Sequence, residues 1–377
     1  MYLTRPRGVV PLLPLVLVLL AAALPGTARA ASSGAVYTMT NSGAANEVVA
    51  YTRAADGTLT RLGTYLTGGR GTGMPRLGSQ GPVTLTSDHS RLLVTNPGSN
   101  NVSVFSVASN GTLTLTDVEP SRGDLPESVT VHGNLVYVLN TGSPNNISGY
   151  RLGSDGSLTA IPGSVRSLSQ EGALPAQVQF SPDGRTLVVT ERNTNRIDTF
   201  RINPTGRPSD VMPHEGSGVG PFGFAFRSDG VFVVTESFGG APGAAAASSY
   251  TLSGGFRLIS GTVGNTQGDV CWAAITNDGR YAYVTNNGSG TISSYRLAAD
   301  GSLSLFEAVA ATTGDPARAA LLFGPRDLDF DDSGRFLYSI DVGTLTVNVF
   351  QVNADGTLTR LAAYGGLPTT FAGMAAY

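Results

Sequence analysis

Two glutamates close apolar strands in neighbouring repeats of this chain, Glu191 at the end of LVVTE and Glu236 at the end of FVVTE. Paired carboxylates can divide acid and base roles when their surroundings separate their pKa values, which makes these two the candidate catalytic residues. Asp341 ends LYSID at the equivalent place in a later repeat. Asn and Asp at such positions also serve simply as turn formers, whereas Glu is a poor one, and both readings stand. Arg196 and Arg326 carry planar guanidinium forks that could clamp a carboxylate or a phosphate. Gln177, Phe222 and Trp272 stand at the starts of strands and would add polar and aromatic walls to a small-ligand cleft.

Other chemistries are poorly supplied. Cys271 is the single cysteine, so an internal disulfide is excluded, and beside Trp272 it reads as a small buried hydrophobe. One thiol and three scattered histidines do not make a structural zinc site, and no metal or other cofactor is expected. His89 and His132 sit in turns, while His214 lies between two repeats, from where it could reach a shared mouth. All 24 basic residues are Arg, which leaves no lysine for Schiff-base chemistry. The net charge of −3 argues against a nucleic-acid or anionic-membrane surface.

The elements that position these residues are repeated. A Gly-x-Leu-Thr turn and strand appears at Asp56, Asn110, Asp155, Asp300 and Asp355, with worn copies at Thr205 and Ser253. From Gly57 to Gly356 there are six intervals over 299 residues, about 50 each. An apolar strand with a polar last residue also recurs seven times, ending at Asn41, Asn96, Asn140, Glu191, Glu236, Asn286 and Asp341. Two markers agreeing on seven units of this length predict an all-β fold, a seven-bladed β-propeller with four-stranded blades. The repeats begin in mid-unit near Ala35 and end on a spare strand, Thr369 to Tyr377. Pairing the C-terminal strand into the N-terminal blade would close the ring and remove both edges. The blades fall near 35–69 plus 367–377, 81–123, 124–172, 173–220, 221–268, 269–315 and 324–366. In this scheme the polar strand ends gather around the mouth of the central channel.

Three segments lie outside the repeat. Arg5 and Arg7, the apolar run Val9 to Leu24, and Ala28-Arg29-Ala30 together predict a secretion signal over 1–30, cleaved after Ala30. The Gly-rich residues 66–80 read as a flexible connector; no strand-to-helix context makes their Gly-x-Gly a nucleotide fingerprint. Residues 237–249 lengthen the turn after Glu236, either as a lid over the site or as a tolerated loop. Residues 316–323 could form a short helical turn.

The repeated DGRTLVVT and YVTN strands with trailing DG-x-L-T resemble the seven-bladed lactonase propellers, a family that includes 6-phosphogluconolactonase and the carboxymuconate-lactonizing enzyme. LGSQG at Leu77, PFGFAF at Pro221 and CWAAIT at Cys271 resemble a secreted, 3-carboxymuconate cyclase-like branch. The resemblance implies lactone hydrolysis or cycloisomerisation in which Glu236 closes the blade-5 strand and Arg196 ends the stretch begun by Glu191. This chain departs from the family where its paired histidines fall on Leu174 and Ala176, and where Gly-Pro-Arg-His becomes Gly220-Pro221-Phe222-Gly223. Gly324-Pro325-Arg326 belongs to another blade.

The expectation is a secreted monomer, without a membrane span once the signal is removed, whose mouth takes a small lactone or organic acid. The alternative is a non-catalytic propeller that binds an extracellular glycan, cell-wall or protein partner.

Overall fold

The computed structural model describes residues 1–4, 33–75, 77–314 and 324–377. The apolar run of the expected signal and the turn expected at 316–323 lie outside the described residues. Seven antiparallel sheets follow one another from Gly34 onward. Their inner strands are Ala372–Ala376, Val83–Leu85, Pro126–His132, Pro175–Phe180, Pro221–Phe226, Val270–Ile275 and Pro325–Phe330 for blades 1 to 7. Each packs beside the next and the seventh beside the first, so the sheets form a ring. Closure comes from Ala372–Ala376, which pairs with Gly34–Met39 through Val36↔Ala376, Tyr37↔Ala375 and Met39↔Ala372. Blade 3 departs in one detail: its outer strand is split into Leu158–Ala160 and Arg166–Ser167. Two 3-10 turns, Pro97–Ser99 and Phe238–Gly240, are the helical segments among the described residues.

The turn marker works through one side chain and one glycine. Asp56 Oδ1 accepts hydrogen bonds from the Thr58 amide and hydroxyl, and Gly57 between them takes φ +84°, which a side chain would disfavour. The same knot recurs at Asn110, Asp155, Asp300 and Asp355. It also joins blades, because a tyrosine of the preceding second strand donates to the glycine carbonyl: Tyr37 to Gly111, Tyr283 to Gly356 and, across the closing seam, Tyr338 to Gly57. The second strands are buried almost throughout, as Thr186–Glu191 illustrates, and the apolar cores lie between neighbouring blades.

The Gly-rich link is not a loose connector. Its end crosses the channel: the Gln80 amide and the Ser79 hydroxyl donate to the Ala176 carbonyl of blade 4. The Gln80 side chain exchanges two hydrogen bonds with Ala273 of blade 6, and Arg326 of blade 7 donates to the Leu77 carbonyl. Leu77 and Ser79 are buried. Three blades therefore hold one extended segment across the hub.

Candidate functional site

The inner strands carry their chemistry on bulges. In blades 3 to 7 the pairing slips between Pro126 and Ser128, Pro175 and Gln177, Pro221 and Phe224, Val270 and Ala273, and Pro325 and Leu328. Proline cannot donate to the ladder, and a bulge re-aims the residues that follow. Glu127, Ala176, Phe222, Cys271 with Trp272, and Arg326 occupy these bulges at one end of the channel.

A cavity of about 560 Å³ opens there, lined by Phe222, Trp272, Cys271, Asp269, Arg192 and Arg326, with Leu77 and Gly78 of the crossing segment at its floor. Phe222 and Trp272 stack with centroids 4.5 Å apart and planes 13° from parallel. The Arg192 guanidinium covers the other side of the pair, 4.6 Å from the Phe222 centroid, while its Nε donates to the Leu174 carbonyl at 3.0 Å. Arg192, which the sequence gives no reason to single out, is thus part of the cleft wall. Ser237 and Gly239 of the lengthened blade-5 turn also line the cavity, at its rim.

Of the residues singled out in the sequence, Phe222, Trp272 and Arg326 meet here. The others do not. Glu191 is fully buried, and its carboxylate accepts from the Ser169 amide and from the Ser169 and Thr194 hydroxyls. Glu236 is buried with the Ser248 hydroxyl donating to it, and burial raises its pKa. Asp341 accepts the Gly343 and Thr344 amides and the Thr313 hydroxyl. Arg196 pairs with the exposed Glu215, 3.5 Å away on the outer strand of blade 4. The Gln177 amide is consumed by the Phe224 backbone, donating to its carbonyl and accepting its N–H. His214 lies in a separate groove between blades 4 and 5, stacked on Phe256 and bonded to Thr199.

The polar strand ends share a different task. Asn96 spans the hairpin diagonally to Ser103 and accepts from Thr67 of the link arriving from blade 1. Asn286 does the same with Ser293 and Asn265, Asn140 donates to Ser148 and to the Ser121 carbonyl, and Glu191 meets Asp198 through Ser169. Alternation along the strand turns these side chains across their own hairpin, where they pin the incoming inter-blade link. The ring of seven is an architectural ring, and its glutamates do not reach the cavity.

The sequence places Glu127 at the start of an inner strand, at the mouth with Gln80, Gln177, Phe222, Trp272 and Arg326, but assigns it no catalytic role. It follows Pro126 as Phe222 follows Pro221 and Arg326 follows Pro325, and this shared Pro-x signal could have set it apart. Burial raises its carboxyl to about 7, with the Arg192 charge and the Thr141 hydroxyl pulling in the opposite direction. Cys271 is held well above its ordinary range by burial, which keeps its thiol protonated and poorly nucleophilic. Among the described residues no group of three or more His, Cys, Asp and Glu could hold a metal ion.

The seven-bladed scaffold has known counterparts. The model of the family described as lactonase, 7-bladed beta-propeller, matches residues 31–170 and 156–238, more than half of the chain. The chain belongs to that family. It is 23% identical over 308 residues to a 6-phosphogluconolactonase of Serratia proteamaculans (strain 568), covering 75% of this chain and 84% of that one. It is 26% identical over 245 residues to a 6-phosphogluconolactonase of Pectobacterium carotovorum, covering 63% and 67%. The periplasmic gluconolactonase of Pseudomonas aeruginosa superposes with a TM-score of 0.66 at 18% identity, covering 90% of this chain and 98% of that one.

Proposed function

We propose that this chain is an exported lactone hydrolase whose reaction is run by Glu127, on the blade-3 bulge beside Arg192, with the lactone held in the cleft walled by Phe222, Trp272 and Arg192. The observation that carries the reading is a carboxyl on the blade-3 bulge beside Arg192, whose guanidinium walls the cleft of a lactonase-family propeller. A general base works best with a pKa near the operating pH. Glu127 in its ionised form takes a proton from water as the water oxygen adds to the lactone carbonyl. The bond to the ring oxygen then breaks, that oxygen takes up the proton, and a hydroxy acid leaves. Positive charge from Arg192 and Arg326 opposes the charge developing on the carbonyl oxygen. The stacked rings offer a flat apolar surface to the lactone ring.

Support also comes from the curated relatives named above, which are lactonases of phosphorylated gluconolactone, and from the basic, apolar, small-residue pattern of residues 1–30, which supports export. The second reading, a non-catalytic binder, is favoured by the apolar Leu174, Ala176 and Phe222 at places where the family resemblance implies His and Arg. Hydrolysis assays on sugar, aromatic and muconate lactones decide between them. Turnover that Glu127→Gln abolishes in a folded protein establishes the hydrolase. No turnover on any of them, or turnover indifferent to Glu127, removes it in favour of the binder.

A further inference from the structure

We infer that the preferred lactone carries an aliphatic chain, gripped by an apolar rim of Leu174 and Val219 at the mouth of the cleft. This names the substrate class for the hydrolase reading and rests on that reading for the chemistry of the ring. Both side chains line the cavity, yet Leu174 is 45% exposed and Val219 48% exposed. Each stands just ahead of an inner strand, Leu174 before Pro175 and Val219 before Gly220-Pro221. Leu125 heads blade 3 in the same manner, 39% exposed and two residues before Glu127. An apolar arc therefore marks the entrances of the three blades that carry Glu127, Arg192 and Phe222.

The backbone holds two of these side chains at a cost. Leu125 takes φ +53° and Leu174 φ +50°, a left-handed region that leucine seldom occupies and from which a residue before proline is steered away. Blade 5 makes its bend with Gly220 at φ +68°, so glycine would serve the turn alone. Leu345 is left-handed too, at φ +58°, but it packs on the core between blades 7 and 1. Among the described residues, Leu125, Leu174 and Val219 join none of the apolar cores. Strain with no core packing to offset it points to a use for the exposed side chain.

The polar groups of the rim are turned to the backbone. Asn193 Nδ2 donates to the Gly172 carbonyl, Asn195 Oδ1 accepts the Gly220 amide, and Ser237 Oγ donates to the Gly220 carbonyl. A polyhydroxylated substituent finds little to bond here, whereas an aliphatic one covers apolar surface now facing water. The rim is also fixed in place. The Leu174 carbonyl accepts the Arg192 Nε at 3.0 Å, and the Val219 carbonyl accepts the Phe238 amide at 3.1 Å. Little backbone freedom remains to be lost on binding.

Kinetics on the full chain, with γ-lactones running from the bare ring to butyl and hexyl derivatives, test the rim. KM is expected to fall about two- to fourfold for each of the first few methylenes. Leu174→Asn with Val219→Ser is expected to raise KM for the hexyl lactone at least about tenfold and to flatten the series. Asn accepts left-handed backbone, so the melting temperature should hold, which a packing role for Leu174 would not allow. Trp272, the single tryptophan, stands in the cleft, and its emission reports occupancy by the matching γ-lactams, whose amide ring resists hydrolysis. The hexyl lactam should bind more tightly than the bare one. Should the double variant fail to fold, the lactam series on the unaltered protein carries the test. Lactam affinity indifferent to chain length, or a lactone series that ignores the two substitutions, overturns the rim. Turnover without chain dependence sinks the rim and leaves the hydrolase. Chain-dependent lactam binding without turnover of any lactone sinks the hydrolase and leaves the rim.

Discussion

Arg192 lies over the face of Phe222, its guanidinium carbon 4.6 Å from the ring centroid, and Phe222 in turn stacks on Trp272. A cation on the outside of an aromatic pair joins the turn after the blade-4 second strand to the bulges of blades 5 and 6. Truncating Phe222 removes the middle of that stack. Phe222→Ala is expected to destabilise by about 3 kcal/mol, the low end for a buried Phe because the site borders a cavity. Its lactone KM should rise as Arg192 loses its support. Chemical denaturation and steady-state kinetics check the two effects.

Glu127 sets the expected pH dependence of turnover. The working form is ionised and the folded pKa is about 7, so kcat/KM rises as pH rises through about 7 and then levels. Glu127→Gln loses about two to four orders of magnitude in rate and the pH limb with it. A rate profile across the neutral range tests both.

The strand-end glutamates give the opposite expectation. Glu191→Gln and Glu236→Gln disturb buried pins and should lower the melting temperature, at a cost of about 1–3 kcal/mol for each unmade buried bond. Lactone turnover per folded molecule should stay within about twofold, because both carboxylates are taken up by the hydroxyls of Ser169, Thr194 and Ser248. A loss of turnover without a loss of stability would return these residues to the reaction.

The closing seam has its own pH dependence. Asp327 Oδ2 accepts the Gly373 amide and Asp329 Oδ2 the Ala376 amide, so blade 7 holds the closing strand through one buried and one half-buried carboxyl. Burial raises both to about 7 in the folded chain, above their unfolded value. Their contribution to stability is therefore full below the ordinary carboxylate range and is lost as pH rises through about 7. Melting temperature should fall across that window, and Asp327→Asn with Asp329→Asn should flatten the fall.

Removal of residues 372–377 tests closure directly. Without Ala372–Ala376 the strand Gly34–Met39 becomes an open edge over an apolar core. The truncated chain is expected to aggregate or to melt far lower, as size-exclusion chromatography and thermal melts would show.

The repeat number, the turn chemistry and the closure were legible because each is written locally: an Asx turn with its glycine, a buried apolar strand, a spare strand at the end. The site was legible only in part. Phe222, Trp272 and Arg326 could be placed because they head the inner strands. Glu191, Glu236 and Asp341 lie away from the cavity because strand alternation decides where a terminal side chain points. A polar partner recurring in the links carried the missing signal: Ser121 and Ser169 are 48 residues apart (169 minus 121), as are Asn265 and Thr313 (313 minus 265). Arg192 was invisible for a different reason. Its place depends on a ring contributed by the next blade and a carbonyl at Leu174, contacts that exist only once the blades are assembled.

The segment Leu77–Gln80 makes the hub a cup and not a pipe. Residues Leu77 and Gly78 floor one cavity while Gln80 borders those on the other side. Whatever enters over Phe222 has to leave by the same rim, past Ser237 and Gly239. A hydroxy acid formed inside would block the doorway until it departs, which makes the product a competitor of the next substrate and bars long polymers from threading through.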